Sequence, residues 1–292
     1  MKKTTILLTG ATGFLGSYLL ESFINLNFNV IILKRSTSSK KRINHFINKI
    51  IYYDVDLISS LDDVFVQNKV DIIVHTACSY GRSNESLKEI INTNLIFGIN
   101  LVESGIKFKV KTFINTGTLL PRNINNYSLS KSQFTDWLKI KSSEIQVINL
   151  KIEHMYGPKD DEKKFLPWII NEMLIGTENI NLTSGVQKRD FIYIDDVVAS
   201  YNLIINKRKK LDSWNEFDVG TASFVHVKDF IIQIANELEN RYNVNIISRL
   251  NFGAINYRKG DIMIPQLDNS KLLSLGWVPK ISLAEGIKRI TK

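Results

Sequence analysis

TTILLTGATGFLGSYLL, residues 4–20, begins as a short apolar strand, turns at three glycines spaced GxxGxxG, and continues as an apolar helix. A glycine-rich turn between a buried strand and a helix lets backbone amides approach a pyrophosphate, while the positive end of the helix dipole faces its charge. The stretch therefore predicts a dinucleotide-binding turn, with a purely structural turn as the alternative. The residues that we expect to contact the dinucleotide are Gly10, Thr12, Gly13, Phe14, Leu15 and Gly16.

The same strand–helix pattern continues along the first half of the chain. Short runs rich in Ile and Val, typical of buried parallel strands, alternate with amphipathic stretches that fit helices. Strand and helix in regular alternation imply right-handed crossovers, so we predict an α/β fold built on a doubly wound Rossmann parallel sheet. The predicted strands cover residues 4–8, 29–33, 49–53, 71–75, 111–115 and 146–150, and the predicted helices cover residues 17–26, 61–67, 88–103 and 128–139.

The second half of the chain is less regular. Glycines and prolines become more frequent from about Gly157, which predicts a smaller mixed α/β C-terminal lobe connected partly by long loops. We expect a dinucleotide-binding domain over residues 1–155 and a substrate lobe over residues 156–292. Some strands and helices of the second part are expected to return to the first domain.

Composition and charge exclude several classes of protein. The chain has 292 residues, 44% of them hydrophobic, with a formal net charge of +9. A lone cysteine, Cys78, excludes a disulfide framework and a thiolate zinc cluster, and we expect no metal. No apolar run approaches the roughly 20 residues of a membrane span, so we expect a cytoplasmic protein with no membrane partner. The positive charge is spread along the chain, which suits an anionic small substrate better than the alternative, a nucleic acid.

A basic loop follows the second predicted strand, where residues 34–38 read Lys-Arg-Ser-Thr-Ser. A site for NAD places a carboxylate about 20 residues after the glycines to hold the ribose hydroxyls, whereas a site for NADP replaces it with cations and small hydroxyl residues. Lys34, Arg35 and Ser36 therefore predict NADP as the cofactor. The alternative is a solvated basic loop without a ligand, because exposed lysines and arginines are common.

Tyr127 and Lys131 form a YxxxK pair on a predicted helix, so both side chains lie on one helix face. We expect the ammonium, together with a positive nicotinamide, to lower the pKa of Tyr127 toward the working pH and make the phenol a usable acid or base. Thr118, just beyond the fifth predicted strand, would hold the substrate oxygen. The alternative is a surface tyrosine beside an unrelated lysine.

Taken in order, these motifs resemble those of the extended short-chain dehydrogenase/reductases, in the branch of sugar-nucleotide epimerases, dehydratases and reductases. The resemblance covers almost the whole chain. The matching segments are GATGFLG at residues 10–16, VHTA at residues 74–77, Asn94, Thr118, Tyr127 with Lys131, YGP at residues 156–158, RDFIYIDD at residues 189–196, DNSK at residues 268–271 and LGWVP at residues 275–279.

The resemblance implies further contacts with ligands. Two arginines of the second lobe would clamp a nucleotide diphosphate, since a planar guanidinium binds phosphate oxygens bidentately. His154, where relatives usually carry Asn, would face the substrate. Relatives commonly dimerise through a helix bundle, so we expect a homodimer, with the helix from Ser128 at the interface. The implied substrate ligands are Ser79, Arg82, His154, Arg189 and Arg258, and the implied further cofactor ligands are Asp54, Val55 and Ala77.

The residues that follow Thr118 distinguish the reactions of this branch. Dehydratases carry Asp-Glu there as acid and base, whereas this chain carries Leu119 and Leu120, which can donate no proton. Epimerases recycle a retained NAD, while a net reductase draws on NADPH, which the basic loop favours. The short connection from Thr118 to Tyr127, with residues 78–82 and 125–131, is similar to that of the CDP-abequose and CDP-paratose synthases, which reduce the 4-keto group of a CDP-linked deoxyhexose.

The resemblance therefore implies an NADPH-dependent oxidoreductase. Its substrate would be a nucleotide-linked hexose, CDP-linked by this similarity, of the 4-keto-6-deoxy or 3,6-dideoxy type, and its product would serve the synthesis of O-antigen or another surface polysaccharide. Two alternatives stay open. One is an NAD(P)-dependent nucleotide-sugar 4-epimerase with the same catalytic residues. The other is a dinucleotide-sensing regulatory protein without chemistry, although such proteins usually lose the tyrosine or the lysine.

Several polar and aromatic residues have simpler structural interpretations. Asp195 and Asp196 are expected to cap a helix that starts at Val197, in preference to acting as an acid/base pair. His75 ends an apolar run and is expected to pack in the core, with catalysis as the alternative. Trp277 is expected to pack within the second lobe.

Overall fold

The computed structural model describes residues 3–258 and 260–292, which form two compact units. The first unit comprises the residues up to Ile152 together with Val198–Val219, and the second comprises Glu153–Val197 and Gly220–Lys292.

The strands are β1 (Thr5–Thr9), β2 (Asn29–Lys34), β3 (Ile51–Asp54), β4 (Ile72–His75), β5 (Thr112–Thr118), β6 (Gln146–Ile152), β7 (His154–Tyr156), β8 (Ile180–Leu182), β9 (Lys188–Tyr193), β10 (Trp214–Val219), β11 (Phe224–His226) and β12 (Leu250–Phe252). The helices are α1 (Phe14–Asn25), α2 (Asp62–Gln67), α3 (Leu87–Ile91), α4 (Phe97–Lys107), α5 (Asn126–Lys141), α6 (Phe165–Ile175), α7 (Ile194–Lys207), α8 (Val227–Tyr242), α9 (Ser270–Ser274) and α10 (Leu283–Ile290).

The first unit is built on a seven-stranded parallel sheet in the order β3-β2-β1-β4-β5-β6-β10. Every residue of β4 is buried, as continuous apolar strands with both faces covered require. The predicted α/β fold with a doubly wound parallel sheet is confirmed. The strand order reverses between β1 and β4, and in such sheets ligands bind beyond the carboxyl ends of the strands at that reversal.

The observed elements extend the predicted ones. All six predicted strands are present, and β5 and β6 run past their predicted ends to Thr118 and Ile152. The predicted helix over residues 88–103 is interrupted: a π-helical turn, Asn92–Ile96, joins α3 to α4. The seventh strand, β10, comes from the part of the chain whose sequence gave no clear periodicity, and it pairs with β6.

The second unit contains two small sheets. In one, β9 pairs in parallel with β7 and antiparallel with β11; in the other, β12 and β8 are parallel. Aromatic rings fill its core, with Phe191 stacked on Phe230 at a centroid separation of 3.8 Å and Tyr156 edge-on to Phe230 at 5.7 Å. Helices α6, α8, α9 and α10 belong to this unit.

The expected capping role of Asp195 and Asp196 is wrong, because α7 begins at Ile194 and both residues lie in its first turn. The buried Asp196 carboxylate instead accepts backbone N–H bonds from Lys280 at 2.8 Å and Ile281 at 2.9 Å. The indole N–H of Trp277 donates to the carbonyl of Asp196 at 3.0 Å, so Trp277 packs within the second unit as expected. These bonds fasten the loop after α9 to the start of α7.

Two broader features concern the chain as far as it is described. Over residues 3–258 and 260–292, no helix combines the length and apolar character needed to cross a bilayer. The same residues bring together no group of three or more His, Cys, Asp or Glu side chains suited to holding a metal ion.

Candidate active site

The glycine turn after β1 is shaped by close backbone contacts. Gly10 has a positive φ of 72°, and a Cβ there would lie 2.6 Å from Thr76 Oγ1 and 2.7 Å from the Ala77 nitrogen. A Cβ at Gly16 would overlap the carbonyl of Gly10. Only glycine fits these two positions. The turn places the backbone amides at the start of α1 beyond the carboxyl end of β1. This cradle fits a dinucleotide pyrophosphate at Gly10–Gly16, as the spacing predicts.

The loop after β4 is fastened to the glycine turn by Thr9. The Thr76 hydroxyl donates to the Thr9 carbonyl at 2.8 Å, and the Ala77 N–H donates to Thr9 Oγ1 at 3.2 Å. Thr9 Oγ1 also hydrogen-bonds Nδ1 of His75, which is fully buried among aromatic rings. Burial, with a smaller contribution from the charge of Lys131, lowers the pKa of His75 to about 3. His75 is therefore a neutral core residue, and that prediction is confirmed.

The basic loop at the end of β2 meets two carboxylates from the end of β3, which sequence reasoning did not anticipate as its partners. Lys34 is buried and forms an ion pair with Asp54 at the end of β3. The hydroxyl of Ser36 donates to Asp56 at 2.5 Å, and its backbone N–H donates to the same carboxylate at 2.7 Å. Of the three predicted phosphate ligands, Lys34 and Ser36 thus already hold carboxylates, and Arg35 has an exposed side chain.

A further arginine lies near the glycine turn. The Arg42 guanidinium is 3.4 Å from the carbonyl of Thr12, which brings a cation to the predicted pyrophosphate cradle. Arg42 lies beyond the basic loop of residues 34–38, and sequence reasoning assigned it no role. Its only signal was charge density, because the 310 turn that follows it, Asn44–Lys49, was not predicted. Val55, another predicted cofactor contact, donates its N–H to the Lys34 carbonyl at 2.8 Å.

The predicted catalytic residues meet between β5 and α5. Thr118 ends β5, and a capping box between Asn125 and Ser128 starts α5, so that Tyr127 lies in its first turn. A side-chain hydrogen bond joins Thr118 to the Tyr127 phenol. Lys131 follows one helical turn later and is 2% exposed. The structure therefore brings Thr118, Tyr127 and Lys131 together beside the carboxyl end of β5.

Burial dominates the electrostatics of this group. Burial raises the pKa of Tyr127 well above its ordinary value, while the hydrogen bond from Thr118 and the charge of Arg82 act in the opposite direction. Burial likewise lowers the pKa of Lys131. In the protein alone the pKa of Tyr127 is therefore raised, because the cost of removing the phenolate from water exceeds its stabilisation by the neighbouring groups. The expected lowering by Lys131 together with a bound nicotinamide stays a prediction. The phenol is neutral near pH 7, which is the form that donates a proton.

Asn94 organises the loop beside the catalytic residues. Its buried amide accepts the Ser79 N–H at 2.7 Å and donates to the Ser79 carbonyl at 2.8 Å and to Ser130 Oγ at 3.0 Å. Asn94 lies in the π-helical turn between α3 and α4, a local distortion often found at functional sites. The sequence motif contained this residue, but only the fold shows that it joins the loop to α5.

Two predicted substrate residues lie on that loop. The Ser79 hydroxyl donates to Glu85 at 3.0 Å, and the Arg82 guanidinium lies 5.3 Å from the ring centroid of Tyr80. The Tyr80 ring is itself 5.0 Å from the Tyr127 ring, centroid to centroid. Tyr80 was quoted in the sequence motif without a role, and no periodicity or spacing indicates that its ring meets the catalytic tyrosine.

A polar cavity of about 270 Å³ adjoins the catalytic residues. On its far side Lys151 pairs with Glu216 at 3.0 Å and Asp218 at 2.9 Å. Although burial alone would lower it, these hydrogen bonds hold the pKa of Lys151 above its ordinary value. The cavity is lined by Thr118, Arg122, Lys131, Ser132, Thr135, Asp136, Asn149, Lys151 and Glu216.

The remaining predicted substrate residues belong to the second unit. Arg189 binds the Asp261 carboxylate at 3.0 Å and the carbonyls of Lys188 and Ile262 at 2.7 and 2.5 Å, while Arg258 is exposed. The exposed His154 imidazole contacts the Glu153 carboxylate at 2.6 Å.

Asp190, between Arg189 and Phe191 in the same motif, has a structural role. Its buried carboxylate accepts hydrogen bonds from the Thr221 hydroxyl at 2.7 Å, the Thr221 N–H at 3.1 Å and the Ala222 N–H at 2.6 Å. Burial raises the pKa of Asp190 against these bonds. The carboxylate fixes the turn between β10 and β11, where Ala222 has a positive φ of 59°.

Comparison with known proteins identifies the family of this chain. The family model described as the NAD dependent epimerase/dehydratase family matches residues 6–220. A CDP-abequose synthase of Salmonella typhimurium is 30% identical over 99% of this chain and 98% of its own length, and one of Salmonella muenchen is 32% identical over 98% and 96%. The crystal structure of UDP-glucose 4-epimerase from Thermotoga maritima, with UDP-glucose, superposes with a TM-score of 0.83 at 25% identity, covering 99% of this chain and 97% of that one. The chain belongs to the NAD dependent epimerase/dehydratase family, the extended short-chain dehydrogenase/reductases.

Proposed function

We propose that this protein is an NADPH-dependent reductase of the C4 keto group of a CDP-linked 4-keto-6-deoxy or 3,6-dideoxy hexose, working in surface-polysaccharide sugar synthesis. The observation that carries the proposal is the Tyr127 phenol, kept neutral by burial and hydrogen-bonded to Thr118. A net reduction needs a proton donor of this kind at the substrate oxygen. Leu119 and Leu120, after Thr118, leave no acid/base pair there for dehydration.

The chain's own residues divide the chemistry among them. A bound reduced nicotinamide dinucleotide supplies the hydride. Tyr127 donates the phenolic proton to the carbonyl oxygen of the sugar. Thr118 donates a hydrogen bond to that oxygen and stabilises the negative charge that develops on it. Lys131 orients the cofactor ribose and offsets negative charge on the phenolate left behind. Arg189 and Arg258 of the second unit bind the diphosphate through their guanidinium groups.

The preference for NADPH is supported by the cations near the glycine turn. Arg35 is exposed at the end of β2, and Arg42 approaches Thr12. Asp56 is the opposing group, since a carboxylate beside the ribose favours an unphosphorylated hydroxyl. We propose that the two arginines outweigh it, because Ser36 already donates two hydrogen bonds to Asp56.

The identity of the substrate is supported by the relatives. The two Salmonella proteins that match nearly the full length of this chain are CDP-abequose synthases. The Thermotoga maritima relative carries UDP-glucose in its crystal structure, which supports a nucleotide sugar of some kind for this chain too. We therefore propose a CDP-linked sugar as the first to test.

A substrate panel tests the proposal. The purified protein is mixed with NADPH or NADH and CDP-4-keto-6-deoxyglucose or its 3-deoxy analogue, and absorbance is followed near ~340 nm. We expect stoichiometric oxidation of NADPH, with the C4 configuration of the product determined by NMR. Interconversion of UDP-glucose and UDP-galactose without net consumption of a cofactor would replace the proposal with the 4-epimerase, which the Thermotoga maritima likeness favours.

We also propose that the protein is a homodimer joined through α5. Trp137 and Ile140 on this helix are 49% and 66% exposed, unusually apolar for a solvated helix face. Sedimentation velocity of the wild type should give a dimer, and a Trp137→Glu, Ile140→Glu variant should give a monomer. A monomeric wild type at micromolar concentration would contradict this assignment.

A further inference from the structure

The catalytic tyrosine does not stand alone beside the sheet. Residues 77–85, here called the tyrosine loop, connect β4 to α3 and bring the Tyr80 ring to 5.0 Å from the Tyr127 ring, with an angle of 31° between the ring planes. The Arg82 guanidinium lies over the Tyr80 ring at 5.3 Å from its centroid. A cation, an aromatic ring and the proton donor thus follow one another in direct contact.

The tyrosine loop is held in this shape at several points. Asn94 binds both backbone groups of Ser79, and the Glu85 carboxylate accepts the Ser79 hydroxyl at 3.0 Å and the Ser83 N–H at 2.6 Å. Gly81 adopts a positive φ of 67°, and a Cβ there would lie 2.9 Å from Ile90 Cδ1. Such a fixed loop can hold Tyr80 in one position against α5.

We propose that Tyr80 is the positioning residue of the proton donor and that Arg82, lying over Tyr80, supplies positive charge that eases proton loss from Tyr127. The inference deepens the proposed function and rests on it. It also assigns Arg82 to the donor, beyond the substrate contact expected from the sequence.

Two physical effects follow from the arrangement. The tilted ring of Tyr80 restricts the side-chain rotation of Tyr127, so the phenolic hydrogen stays aimed at one place. Aromatic pairs also gain energy beyond simple area burial. Arg82 favours the phenolate that forms as the proton leaves, in line with its lowering effect on the Tyr127 pKa. The groups that act on Tyr127 are Cys78 and Arg82 on the tyrosine loop, Thr118 on β5 and Tyr201 on α7. Lys131 lies one turn away on the same helix as Tyr127.

Substitutions at Tyr80 separate its ring from its hydroxyl. Tyr80→Phe keeps the stack and should hold kcat within about twofold of the wild type. Tyr80→Leu removes the stack and should lower kcat about three- to tenfold while leaving the Kd for NADPH unchanged. The recovery of turnover by phenylalanine distinguishes positioning from a general loss of folding, which thermal unfolding of both variants checks independently.

Arg82→Gln tests the charge. At saturating substrate, the high-pH limb of the kcat profile should move to higher pH, because loss of the cation makes the phenol less acidic. The matched control is Lys88→Gln, an exposed cation on α3, which should leave the profile in place. A substrate contact alone would raise KM for the sugar nucleotide and leave the limb of kcat where it is.

A spectroscopic arm needs no substrate. In protein carrying ring-labelled tyrosine, the Tyr127 signals, assigned with Tyr127→Phe, should shift in Tyr80→Leu because the ring current of Tyr80 is lost. Unchanged Tyr127 signals in Tyr80→Leu, or an unmoved kcat limb in Arg82→Gln, would overturn the inference. A wild type that reduces no keto sugar overturns the proposed function instead, and in that case the labelled spectra still decide whether the rings stack.

Discussion

Lys131 lies one helical turn beyond Tyr127, and burial raises the pKa of the phenol while it lowers the pKa of the ammonium. A neutral phenol is a ready proton donor, whereas a phenolate would have to be protonated first. The relationship suits reduction of a ketone, in which the proton moves from enzyme to substrate. Arg82 adds positive charge that favours the phenolate as the proton leaves.

Replacing the donor should stop turnover without releasing the cofactor. Tyr127→Phe keeps the ring and its packing, so the Kd for NADPH, followed by fluorescence, should stay within about twofold. Loss of the proton donor should lower kcat by about 10²- to 10⁴-fold. The control is Tyr242→Phe, whose phenol is 47% exposed on α8 and should be silent. Near-normal turnover in Tyr127→Phe would remove this residue from the mechanism.

The choice between phosphorylated and unphosphorylated cofactor should depend on two arginines. Arg35→Ala and Arg42→Ala each remove a cation near the glycine turn and should raise the Kd for NADPH about tenfold, with little change for NADH. Lys111→Ala, an exposed cation just before β5, serves as the control. Titration of NADPH and of NADH into each variant measures the ratio of the two Kd values. Equal weakening of NADPH and NADH would place the arginines at the shared pyrophosphate, away from the extra phosphate.

The second unit should depend on Asp196 far more than on Asp195. Asp196→Ala removes a buried carboxylate that accepts the N–H groups of Lys280 and Ile281, and should cost about 1–3 kcal/mol in the free energy of unfolding. Asp195 is half-exposed and pairs with Arg289, so Asp195→Ala should cost less than about 1 kcal/mol. Thermal unfolding of the two variants gives the comparison. Similar losses from both substitutions would contradict the anchoring role of Asp196.

His75 should make the protein less stable in mild acid. Its pKa in the folded protein is about 3, whereas in the unfolded chain it has its ordinary value near 6.5. Between these values the unfolded chain binds a proton that the folded protein refuses, so stability falls as pH drops below about 6.5, by about 1.4 kcal/mol per pH unit. Urea unfolding at pH 7 and pH 5 should show this loss.

His75→Gln isolates that contribution. The variant has no group to protonate at this position, so its stability should depend less steeply on pH than that of the wild type, whatever its stability at pH 7. If the wild type and His75→Gln lose equal stability between pH 7 and pH 5, the acid sensitivity arises elsewhere.

The strands and the glycine turn were predictable because they follow from local rules. A buried parallel strand must be apolar along its length, and the turn after β1 has only two close backbone approaches, at Gly10 and Gly16, that glycine alone allows. The interrupted helix over residues 87–107 was not predictable in detail. Its π-helical turn serves Asn94, whose partners Ser79 and Ser130 lie elsewhere in the sequence.

The basic loop shows that the partners of charged residues are likewise not predictable from the sequence. Its sequence identifies cations but not their partners, and Lys34 meets Asp54 only because β2 and β3 pair in register at that point. The acidity of Tyr127 is a second case, since the spacing to Lys131 gives proximity while the degree of burial fixes the direction of the pKa shift.

The sequence by itself determined the parallel sheet, the glycine cradle and the YxxxK pair, because each depends on residues within a few positions of one another. Tertiary structure alone decided that the Tyr80 ring packs against the Tyr127 ring, that Asp196 holds the loop after α9, and that Arg189 is bound to Asp261. These contacts join segments far apart in the chain, and their energies depend on burial and distance, which no local pattern encodes.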